Sequence, residues 1–116
     1  MAFPTREAQG VAILDLEGEI DFHRSPEMRA EIGKLIERKA KAVALHFGKV
    51  SYIDSSGLAT IIDAFQKMRG YGGKLALIAL SAPVRGVFEV ARLDQFFKMF
   101  DEENAAVSAL RADTGL

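Results

Sequence analysis

Two spacings alternate along the apolar residues of this chain, a period of two and a stripe at every third or fourth position, and this alternation constrains the fold most. Val11 to Glu17 sets Val, Ile and Leu against small or acidic residues between Gly10 and Gly18, which predicts a strand with one wetter face. A short strand near Phe3 to Glu7 is expected before it. Ser25 and Pro26 then read as the N-cap and first residue of a helix whose apolar stripe is Met28, Ile32, Leu35 and Ile36. Ala42 to Phe47 is a second strand, closed by a turn at Gly48-Lys49. After Val50 to Ile53 comes Asp54-Ser55-Ser56-Gly57, and a second helix runs from the serines to Gly70 on Leu58, Ile61, Ile62, Phe65 and Met68. Gly72-Gly73 turns the chain into Lys74 to Leu80, whose unbroken apolar run from Leu75 predicts a strand covered on both faces. Ser81-Ala82-Pro83 starts a third helix with Val84, Val87 and Phe88 inward. Phe96 to Phe100 reads as an edge strand, and Asp101 as the cap of a last helix to about Leu110.

Strands and helices in succession specify an α/β domain, here a single domain over residues 1–116 with a mixed, mainly parallel sheet of four to five strands and about four helices. Strand-helix-strand units close by right-handed crossovers, so the strands near residues 14, 45, 77 and 98 run parallel. Their outgoing loops share one rim, where open α/β sheets place their binding sites. Glu19 to Ser25, Lys49 to Gly57 and Ser81 to Pro83 meet there.

Composition removes several function classes. The 116 residues include no cysteine, so disulfides and thiolate metal sites are excluded, and 15 Lys+Arg against 16 Asp+Glu leaves a net charge of -1, the wrong balance for a nucleic-acid binder. No apolar run approaches the ~20 residues that span a bilayer, and the first ten residues lack the apolar core of a signal peptide, so no membrane insertion and a cytoplasmic location are expected.

The catalytic inventory is thin. His23 and His46 are the only histidines and have no paired ligand spacing, so neither a metal site nor a cofactor is expected. A Gly-x-Ser-x-Gly nucleophile elbow is missing, and Gly70-Tyr71-Gly72-Gly73-Lys74 joins helix to strand, the reverse of a phosphate loop. Asp54 lacks the neighbouring acidic pair that an aspartyl phospho-acceptor uses. Arg85 and Arg92 read as solvated helix charges in preference to partner contacts. What remains is Asp54-Ser55-Ser56-Gly57. Asp or Ser ahead of an apolar helical stripe is the ordinary N-cap, yet two serines and a glycine on the binding rim also leave hydroxyls within reach of another protein's active site. A phosphate on Ser55 would meet the unpaired N–H groups of the first turn and the positive end of the helix dipole.

These residues carry a resemblance. Gly18-Glu19-Ile20-Asp21, Val50-Ser51-Tyr52-Ile53-Asp54-Ser55-Ser56-Gly57-Leu58, Gly72-Gly73 and Ser81-Ala82-Pro83-Val84-Arg85-Gly86-Val87-Phe88-Glu89 together resemble STAS-domain proteins of the anti-sigma factor antagonist family. The resemblance spans nearly the whole chain. It implies a bacterial, non-enzymatic regulator that binds an anti-sigma factor serine kinase and releases the sigma factor, with Ser55 phosphorylated by that kinase and restored by a serine phosphatase. The expected docking surface is Asp21, His23, Arg24, Asp54, Ser56, Gly57, Leu58, Ser81 and Pro83. Relatives of the fold also act as scaffolds or accessory subunits of stress-signalling complexes and membrane transporters, which is the alternative.

Overall fold

A computed structural model describes residues 3–116; Met1 and Ala2, at the start of the expected domain, lie outside the described residues. Its order is β1 (Thr5–Ala8), β2 (Val11–Ile20), α1 (Ser25–Glu37), β3 (Ala42–Ile53), α2 (Ser55–Arg69), β4 (Lys74–Ile78), α3 (Ala82–Val90), β5 (Lys98–Phe100) and α4 (Glu103–Thr114). The strands lie in sequence order in one sheet, with β1 antiparallel to β2 and every later pair parallel.

Right-handed crossovers between strands laid down in sequence order keep returning to the same face. The packing shows this. Leu14 and Leu16 of β2, Leu45 and Phe47 of β3 and Leu77 of β4 meet Met28 and Ile32 of α1, Ile61 of α2 and Phe88 of α3 in one core. The alternate residues Val11, Ile13, Ala44, Ala76 and Ile78 point the other way, onto Ala106, Val107 and Leu110 of α4. Both faces of β4 are therefore covered, which is why its sequence shows no alternation.

Several boundaries differ from the sequence reading, each for a local reason. Gly48-Lys49 is no turn. The strand continues through it to Ile53, and β3 absorbs the extra residues as register shifts against β2 between Asp15/Glu17 and between Gly18/Glu19. The Gly48 N–H donates to His46 Nδ1 at 3.1 Å, and a Cβ on Gly48 would lie 2.7 Å from His46 Cε1. Ser25 does not cap α1. Asp21 turns the chain first, its carboxylate accepting from the N–H groups of His23 and Arg24, and the Ser25 hydroxyl donates back to the Asp21 carbonyl at 2.7 Å. Arg24 thus occupies the N-cap position without a side-chain capping bond. β4 stops at Ile78 because Ala79 takes a left-handed φ of 58°. Glu102 rather than Asp101 precedes α4, which runs on to Thr114. The short first strand is Thr5–Ala8 rather than Phe3 to Glu7, and β5 is only Lys98–Phe100.

Beyond α4, the second sheet face carries charge. Arg6 pairs with Asp15 at 2.7 Å and with Glu103 at 2.5 Å, tying β1 and β2 to α4, and His46 Nε2 lies 4.0 Å from Glu103. The hydrogen bond from Arg6 holds the Glu103 carboxyl below its ordinary value of 4.5. A carboxylate depressed in the folded state contributes stability that is complete above its unfolded value and is lost as pH falls through that value toward the folded one. Asp54 acts in the same direction. The urea midpoint should therefore fall below about pH 4.5 in the wild type and fall less steeply in Glu103→Gln, as measured by denaturation at a series of pH values.

Candidate functional site

The carboxyl rim of the sheet is built around the start of α2. Asp54 leaves β3 in an extended conformation, and its Oδ1 accepts from Ser56 N at 2.9 Å, Gly57 N at 3.2 Å and Ser56 Oγ at 2.6 Å. Its own carbonyl accepts from Leu58 N at 3.1 Å. The N–H groups of Ser56, Gly57 and Leu58 are thereby satisfied inside the domain. The Ser56 hydroxyl, with the backbone N–H groups of Gly57, Ser56 and Phe22 in support, holds Asp54 below the usual carboxylate range against the cost of desolvation.

The two serines have different environments. Ser56 Oγ lies 3.2 Å from the buried Ser25 Oγ, and its carbonyl accepts from Thr60 Oγ1 at 3.0 Å, itself bonded by Arg29 at 3.1 Å. Ser56 is stitched between α1 and α2. Ser55 is exposed, and its hydroxyl has no hydrogen-bond partner among the described residues. It stands at the end of an open groove of about 500 Å³ between α2 and α3, lined by Leu58, Pro83, Gly86, Val87, Val90 and Ala91. Val90 is 88% exposed.

The other expected contact residues divide between surface and support. His23 is exposed and packs on the Phe22 ring at 4.1 Å between centroids. Asp21 is spent on its own turn. Arg24 folds back onto the domain, 3.4 Å from Glu27 and 4.6 Å above the Phe3 ring. Ser81 is exposed while its hydroxyl accepts from Val84 N at 3.4 Å, capping α3. Pro83 is exposed on the groove. Leu58 borders the groove but is buried, and Gly57 is buried altogether. Gly57 instead permits close approach: a Cβ there would lie 2.7 Å from Ile53 Cγ1 and 3.0 Å from the Ile20 carbonyl oxygen.

Two features escaped the sequence reading. The first-turn N–H groups expected to receive a phosphate are already taken by Asp54. Phe22, 66% exposed, adds apolar surface to the rim and Val90 adds it to the groove, and their signals were an aromatic ring among the polar residues Asp21, His23 and Arg24 and the continuing stripe Val84, Val87, Val90. Among the described residues no group of three or more His, Asp or Glu is placed to hold a metal, and no helix is long and apolar enough to cross a membrane.

Residues 2–106 match the STAS domain family. The chain belongs to that family. This STAS domain is 28% identical over 103 residues to the anti-sigma F factor antagonist of Paenibacillus polymyxa, covering 88% of each chain. Its fold superimposes on the anti-sigma factor antagonist SpoIIAA in its unphosphorylated form with a TM-score of 0.83 at 26% identity, covering 96% of this chain and 97% of the other. Against the Bacillus cell fate determinant SpoIIAA in its phosphorylated form the TM-score is 0.74 at 26% identity, over 95% of this chain and 100% of the other.

The contact at Gly57 gives this STAS domain a sharp stability test. Gly57→Ala should destabilise by about 1–3 kcal/mol, because the added methyl meets a backbone carbonyl that cannot swing aside. Gly33→Ala, in α1 with nothing within 4 Å of the new atom, should stabilise by about 0.4–1 kcal/mol. Thermal unfolding of the two variants beside the wild type reads both.

Proposed function

We propose that this STAS domain is an anti-sigma factor antagonist switched by phosphorylation of Ser55. The unmodified rim docks on an anti-sigma factor that is itself a serine kinase, and the sigma factor is released. The kinase transfers a phosphoryl group to the Ser55 hydroxyl, and a serine phosphatase removes it. The domain is substrate and ligand in this cycle and performs no catalysis of its own, and the cycle runs in the cytoplasm. The observation that carries the reading is the contrast between neighbours, Ser55 free and exposed at the groove mouth and Ser56 bonded to Asp54. The relatives named as antagonists, and the likeness to both forms of SpoIIAA, support it.

The chemistry of the rim explains why the modification acts outward. A phosphate adds about -1.5 to -2 charge, taking the net charge from -1 to roughly -2.5 to -3. With the N–H groups of Ser56, Gly57 and Leu58 already committed, the first turn neutralises little of it, and Asp54, held ionised in the same turn, repels it. The fold tolerates the group because Ser55 faces solvent. A docked surface would have to strip water from a dianion, and a penalty of ~2.7 kcal/mol already weakens binding about 100-fold. His23, Phe22 and Pro83 supply exposed contacts around the serine, and the groove beyond it offers the apolar part of the interface.

With the purified kinase and ATP, fragmentation mass spectrometry should place one phosphate on Ser55, and Ser56→Ala should remain a substrate while Ser55→Ala takes none. Ser55→Ala should bind the kinase irrespective of ATP, and Ser55→Asp should bind at least about tenfold more weakly. Phosphate on Ser56, or equal binding by the two Ser55 variants, contradicts the switch.

A further inference from the structure

The end of α2 remote from Ser55 carries a second surface of different chemistry. Phe97 is buried and meets the Phe65 and Phe88 rings edge to face at 5.3 Å and 6.1 Å, so its neighbour Phe96 is turned out of the core and is 66% exposed. Nothing in the packing requires an aromatic ring at that position, and large exposed rings are the residues that anchor interfaces. Phe96 divides two adjoining hollows of about 300 and 210 Å³ that also share Phe65 and Arg69. One side is apolar, formed by Ile62, Leu93 and Phe97. The other brings in Lys74 and Lys98 from the starts of β4 and β5.

The charge of this hollow selects its occupant. Arg69, Lys74 and Lys98 line it with a single carboxylate, Asp113, which is paired with Lys98. The surface is thus positive on a chain whose net charge is -1. Arg69 also lies 5.8 Å from the Phe65 ring, so cationic and aromatic groups form one continuous patch. We propose that this patch docks a segment of another protein in which acidic residues flank an apolar anchor, and that it does so whatever the state of Ser55. The helix separates the two sites: Arg69 follows Ser55 by fourteen residues, about 21 Å along α2, more than twice the screening length of about 8 Å at physiological salt. One partner can then hold the domain while the switch end engages or releases another. The surface does not depend on the phosphorylation reading, since the two are tested by different residues.

A random peptide library selected against the full chain tests the proposal without presuming a sequence. Selected peptides should carry acidic residues around an aromatic or aliphatic anchor. Binding of a selected peptide should weaken by about tenfold or more in Phe96→Ser and in Lys74→Glu and stay unchanged in Ser55→Asp. Both substituted side chains are exposed, so the thermal midpoints of these variants should match the wild type. Failure to enrich any peptide, enrichment of basic peptides, or undiminished binding to Phe96→Ser overturns the proposal. So does a dimer in light scattering that Phe96→Ser dissolves, which would make the occupant a second copy of this chain.

Discussion

One carboxylate organises the rim. Asp54 takes up the first-turn donors of α2 and the Ser56 hydroxyl together, and this choice decides which serine is available. Were Asp54 an apolar residue, the N–H groups of Ser56 and Gly57 would turn to solvent or to the nearest hydroxyl, and the two serines would lose their distinction. The cap also connects elements. Asp54 N donates to the Ile20 carbonyl at 3.2 Å, so the residue that follows β3 is fixed against the end of β2 before α2 begins. Gly57 lets the helix settle onto that junction.

The length of β3 matters as much as its cap. Its pairing with β4 stops at His46 and Ile78, but its pairing with β2 continues to Ile53. Asp54 and Ser55 therefore leave from a strand that, together with β2, projects beyond β4 and β5, and α3 lies beside them to complete the groove. Rigid strand, short cap and exposed hydroxyl follow in three consecutive residues, Ile53 to Ser55. A modification at such a place changes the surface more than the scaffold. On the proposed reading, the difference in charge is felt by the docked partner rather than through a rearrangement of the domain.

Much of this was legible in the residues, and the exceptions share a cause. The alternation of spacings indicated that β2 to β5 run parallel, though not the order in which they lie, and Asp54 and Ser81 were recognisable as caps from the stripes that follow them. Gly48-Lys49 misled because a bulge and a turn use the same residue types, and only the partner strand distinguishes them. Ser25 misled because Asp21, four residues earlier, competes for the same start of helix. The exposure of Phe96 was hidden beside Phe97: an apolar pair at the edge of a sheet does not say which ring the core has claimed. Local pattern sets the element, whereas long-range contact sets which side chain is left over.

The central claim is that phosphate on Ser55 leaves the domain as it was. Amide chemical shifts of the fully phosphorylated chain, compared with those of the unmodified one, test this most directly. The account predicts changes confined to Ile53 through Leu58, the loop around Phe22 and the face of α3 that lines the groove, with the core strands unmoved. Changes spread through β4 and α4, or collapse of the dispersed spectrum, would show that the fold itself is the switch and would contradict it.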